Sequence, residues 1–171
     1  MNNYPPEKAD VINKCVDFLN SIGIPTAFRK IEGNPFLPGL CIENGSIIID
    51  TEALLYPGDI LHEAGHIAVV PAARRASLNQ ETITNSKDRD AEEMMAIAWS
   101  YAACMHLQLD PYIVFHESGY QAGGSKIVEN FKAGRFFGTP MLQWCKMTIE
   151  PAHAKPGEPV YPKMLQWLRN V

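Results

Sequence analysis

The chain has 171 residues, of which 46% are hydrophobic and 20% charged, with a net charge of -4 and a pI of about 5.7. This is the balance of a soluble globular protein with enough apolar material for one core. The acidic balance gives no electrostatic case for nucleic acid or an anionic membrane as the main partner, and neither is expected.

The opening MNNYPPEKADVIN lacks the basic start and apolar run of a secretory signal. No stretch reaches the roughly 18–20 apolar residues of a membrane span. A cytoplasmic protein is expected. Residues 6–22 carry Ala9, Ile12, Cys15, Val16, Leu19 and Ile22 at helical spacing, with Pro6 suited to the first turn and Gly23 to the end. IPTAFRKI then reads as a strand. In LPGLCIENGSIIID, Asn44-Gly45 separates two apolar runs and accepts positive φ at both turn positions, which predicts a hairpin.

A short link leads to Asp59, read as the N-cap of a helix from Ile60 to about Val70 that stops at Pro71. Residues 74–88 read as a polar loop. A long helix over about 88–108 is apolar on nearly every face and is expected to be central; Asp110-Pro111 breaks it. Beyond it, PYIVFHESGY reads as helical or irregular, QAGGS as a flexible break and IVENFKAGRFF as a short helix. The tetrapeptide MLQW occurs at 141–144 and again at 164–167, and both copies are expected as helix turns that pack a tryptophan. Cys15, Cys41, Cys104 and Cys145 form no C-x-x-C pair and are expected as reduced, mostly buried thiols. The pattern predicts one α+β domain over 1–171, with a core at about 7–110 and an extension at 111–171.

The chemistry concentrates in LHEAGH. Residues four apart share a helix face, so His62 and His66 can aim imidazole nitrogens at one point. Neutral imidazole is a good zinc ligand, and Glu63, about 100° round the helix, reaches a metal-activated water without binding the metal. The spacing therefore pairs a Lewis acid with a general base. Ala64, Gly65 and Ala68 are small enough to admit a neighbouring helix. The competing reading, a polar face with two solvated histidines, fits poorly with the apolar residues on either side.

Two histidines need a third ligand. The long helix offers Glu92 and Glu93, and a cation would compensate a carboxylate buried there. Glu93 is preferred, because Ala96 and Ser100 continue its line and allow close packing; Glu92 would then be exposed or would orient a ligand histidine. His116 and Tyr120, four apart in FHESGY, are candidates for oxyanion stabilisation, although an ordinary core or surface position is the favoured reading for both. His106 is expected as a hydrogen-bonded core histidine, and His153 has no evident partner.

LHEAGH resembles the motif of gluzincin metallopeptidases, whose third ligand is a glutamate on a following helix. The order of elements is more specific. A helix, a short sheet ending in GSIIIDTEAL, the LHEAGH helix, a loop and then AEEMMAIA resemble the ImmA/IrrE-type metallopeptidase domain over about residues 7–105. The resemblance implies a minimal zincin-like fold: a small, mostly antiparallel sheet packed on the HExxH helix and a long buried helix. It also implies zinc on His62, His66 and Glu93, with Glu63 as base. Met94 and Ile97 depart from that family's usual alanine and aromatic, so Glu92 stays open as third ligand. The string HEAGH also occurs in FtsH-type proteases, whose membrane tether and ATPase module are not expected from these 171 residues. The expected function is zinc-dependent hydrolysis of a peptide or protein substrate. The alternative is a non-catalytic or regulatory zinc-binding domain that engages a protein partner.

Overall fold

The computed structural model of the chain describes residues 6–170, apart from the side chains of Pro6 and Ala122. Helix α1 (Pro6–Ile22) buries Ile12, Cys15 and Leu19, the stripe its spacing predicts. Three short strands follow: β1 (Thr26–Phe28), β2 (Leu40–Glu43) and β3 (Ser46–Ile49). Asn44 and Gly45 turn the β2–β3 hairpin with φ of 49° and 72°, the left-handed pair that such a turn demands.

The sheet order is β1-β3-β2, with β3 antiparallel to β2 and parallel to β1. The sheet is thus mixed, where a mostly antiparallel one was expected. Residues 29–39 carry the chain past the central position to the far edge, and the hairpin return then inserts β3 beside β1 in the same direction. A carboxylate oxygen of Asp50 accepts the Ile31 amide at 3.0 Å and so ties that connector to the end of β3. Ile47, Ile48 and Ile49 are all buried, as in a strand covered on both faces.

Helix α2 (Asp59–Val69) ends as Val70 turns extended before Pro71. Asp59 is its first helical residue and makes no cap. The preceding Tyr56-Pro57-Gly58 turn supplies carbonyls to the first amides, leaving the Asp59 side chain for another partner. The 74–88 segment is not the plain loop expected. Helices α3 (Ala72–Arg75) and α4 (Gln80–Thr84) lie in or beside it, and α4 is fixed by reciprocal capping between Asn79 and Thr82 at 2.9 Å each way. Helix α5 (Arg89–Leu107) is buried without interruption from Met95 to Cys104.

The most extensive contact between elements is α2 on α5. It depends on Gly65: a Cβ there would stand 2.9 Å from the Ala96 carbonyl oxygen and 3.2 Å from the Ala96 Cβ. Gly65→Val should therefore wedge the two helices apart. Overpacking of this kind costs about 1–3 kcal/mol, or roughly 2–4 °C of melting temperature per kcal/mol. Thermal unfolding checks this, and an unshifted midpoint would refute so tight a crossing.

Helix α6 (Gly124–Lys132) begins inside the glycine-bearing stretch read as a break, and α7 (Thr139–Trp144) follows. The tail returns over the core. The Tyr161 hydroxyl donates to the Ala98 carbonyl at 2.8 Å, and the Trp99 indole donates to the Trp167 carbonyl at 2.9 Å. The two MLQW copies part company. The first ends α7 and leaves Trp144 85% exposed; the second is not helical, and Trp167 packs on Phe18, Trp99 and His106. His106 is exposed and packs between the rings of Phe18 and Trp167 instead of entering the core. His153 does have partners, Gln143 and Glu150. All four cysteines are free, three of them buried, and burial pushes the Cys15 thiol up to about 12. Among the described residues, no helix is long and apolar enough to cross a membrane.

Candidate metal centre

Helix α2 points His62 and His66 to one side, with Nε2 atoms 3.2 Å apart. Across the α2–α5 crossing, Glu93 offers one oxygen to His62 Nε2 at 3.6 Å and the other to His66 Nε2 at 3.2 Å. Donors that sit 2.0–2.1 Å from a tetrahedral ion are spaced about 3.3 Å apart. The two nitrogens and the Glu93 carboxylate thus stand at about that spacing, and His62, Glu63 and His66 form a group that could hold a metal ion.

The two candidate glutamates have distinct surroundings. Glu92 is the buried one, its side chain 9% exposed, and it accepts from the Arg74 guanidinium at 2.5 Å. Glu93 is 41% exposed and faces the histidines. Burial had pointed the other way, to an exposed Glu92, because a guanidinium partner from the preceding segment was not anticipated. Glu63 is the third carboxylate near the pair: one of its oxygens lies within 4.8 Å of both histidine ligand atoms. Glu93 makes the closer approach, at 3.6 and 3.2 Å from the two rings.

The electrostatics follow from burial and from this crowding. Burial first, then the nearby His66, pulls His62 down to about 4, so the ring is neutral, as a ligand must be. Burial also pulls on His66, but the Glu93 hydrogen bond and the surrounding carboxylates outweigh it and hold the ring above its ordinary value. Glu93 responds in kind: burial raises it, and the two histidines and Arg89 bring it below the usual range. Burial pushes Glu63 up to about 7, offset in part by His66 and reinforced by Asp59 and Glu93.

A cavity of about 710 Å³ opens over these groups. Apolar Phe36, Leu37, Pro38, Leu55 and Ile83 line it, together with Arg89 and with His116, Ser118, Gly119 and Tyr120. His116 gives Nε2 to an Asp59 oxygen at 2.8 Å and stacks on Tyr56 at 3.9 Å; its Nδ1 is buried without a partner. His116 thus spends Nε2 on Asp59 and not on the histidine pair. The Tyr120 hydroxyl lies 2.7 Å from His62 Nδ1, engaged with a ligand-type ring and not free in the cleft. Asp59 and Tyr56 also line this site, which the sequence does not reveal. Their partners lie far away in sequence, and only the acidic start of α2 marked Asp59 as notable.

Comparison of the chain with protein-family models, with curated proteins and with solved structures returns no match.

Proposed function

We propose that the protein is a zinc-dependent hydrolase of peptide bonds, of the gluzincin type and akin to the ImmA/IrrE metallopeptidase domain. The observation that carries this is the convergence of His62 and His66, 3.2 Å apart at Nε2, with Glu63 in the same cluster and the two Glu93 oxygens 3.6 and 3.2 Å from the two rings. Bound zinc supplies Lewis acidity, polarising a carbonyl and acidifying water. Glu63 takes the proton of the attacking water and returns it to the leaving amine. The apolar wall of Phe36, Leu37 and Leu55 holds substrate side chains and excludes water around the reacting bond. An extended segment of a peptide or protein is the substrate class, and a reducing, cytoplasmic setting fits four free thiols.

A second reading is a zinc-binding module that grips a protein partner without cutting it. Phe36 and Leu55, 77% and 61% exposed at the cleft mouth, favour contact with a protein surface. One experiment separates the two. Protein purified without added metal is analysed for its elements, reconstituted with zinc and incubated with a peptide mixture read by mass spectrometry. About one zinc per chain with new termini supports the hydrolase. Zinc without cleavage favours the binding module, and no zinc after reconstitution removes both.

A further inference from the structure

We propose that Tyr120 is the positioning residue for His62, accepting the imidazole Nδ1–H so that Nε2 is held toward Glu93 and His66. The inference rests on the metal half of the proposed function and adds a residue to it. The hydroxyl lies 2.7 Å from Nδ1, and the two rings meet edge to face at 5.4 Å. An imidazole that donates through Nδ1 carries its lone pair on Nε2, the nitrogen that belongs to the donor set. A phenol fixes that tautomer without adding a negative charge to a site already crowded by Glu63 and Glu93.

The chain goes to some length to put the hydroxyl there. Residues 116, 118 and 120 alternate along one short strap, and each reaches back to α2 or the turn before it. His116 bonds Asp59 at 2.8 Å, Ser118 bonds the Tyr56 hydroxyl at 2.7 Å and Tyr120 bonds His62. Immediately after Ser118 and Gly119, Tyr120 and Gln121 both take left-handed backbone, with φ of 54° and 51°. Neither is glycine, and two such residues in succession persist only where their surroundings impose them. Here the three hydrogen bonds and the packing of Tyr120 on Phe115, at 5.3 Å, do so. That concentration of disfavoured backbone at a ligand-type histidine is what marks Tyr120 as functional.

The test uses the full chain. Zinc affinity is measured by competition with a chromophoric chelator for wild type, Tyr120→Phe and Ser118→Ala. The His62 Nδ1–H of the zinc-loaded protein is followed by nitrogen–proton NMR. Tyr120→Phe keeps the ring packing and removes only the acceptor. Its zinc Kd is expected to rise about 10–100-fold, with the Nδ1–H signal lost to solvent exchange. Ser118→Ala, which removes one strap bond but leaves the acceptor in place, should raise the Kd less than Tyr120→Phe does and keep the Nδ1–H signal. Equal affinity and an intact signal in Tyr120→Phe would overturn this inference alone. Wild type that takes up no zinc would overturn the metal reading and this inference with it. If Tyr120→Phe does not fold, the wild-type signal decides: slow exchange supports the bond, fast exchange overturns it.

Discussion

Glu63→Gln is expected to lower hydrolysis by about 10²–10⁴-fold while leaving zinc content and fold unchanged. The amide has nearly the volume of the carboxylate and keeps its hydrogen-bonding reach, but it accepts no proton. Glu63 suits the role because burial raises it to about 7 in the metal-free protein, near the pH at which it must take and return a proton. Its location on α2, one residue after His62, keeps it beside the histidine pair whatever α5 does. The measurement is kcat on a peptide cut by the wild type, run beside elemental analysis of the same preparations. Full activity in the variant would sink the mechanism. Activity and zinc lost together would make Glu63 a ligand, the other role its distance to the histidines allows.

What the sequence makes legible is local. The His62–His66 pair, the Asn44-Gly45 turn and the buried run of α5 follow from spacing within one element, and the structure contains each. What it hides depends on partners distant along the chain. Asp59 reads as a cap because acidic residues start helices, yet its carboxylate serves His116, 57 residues on. The parallel β1–β3 pairing cannot be seen in three residues of strand, because it is set by the path of the connector. MLQW is the sharpest case. Identical tetrapeptides expose one tryptophan and pack the other, since Trp167 returns to Phe18 and Trp99 while Trp144 ends a helix with nothing above it. The α4 wall of the cleft was hidden for a smaller reason. Its capping box uses Thr82 where a glutamate or glutamine is the usual mark.

The ligand choice between two adjacent glutamates yields the other large effect. Glu93→Ala is expected to strip the zinc almost completely, whereas Glu92→Ala keeps it. Adjacent residues on a helix point about 100° apart, so only one of the two can face α2. Glu93 does, at 3.2 and 3.6 Å from the two histidine nitrogens. Glu92 turns to Arg74 at the other side of the crossing, where it joins α5 to the segment after α2. Losing it removes a charge-assisted bond worth about 1.5–3 kcal/mol, so Glu92→Ala should lower the melting temperature. Metal per chain and thermal midpoint, measured on both variants, separate a ligand from a structural partner. Zinc lost from Glu92→Ala and kept by Glu93→Ala would reverse the assignment. Zinc kept by both would leave Glu63 as the third donor and make the site one built wholly on α2. The crossing at Gly65 would then have no part in forming the site. If the zinc leaves with Glu93 alone, that crossing sets how far the third donor stands from the first two, and a small residue at position 65 is a requirement of the metal site as much as of the core.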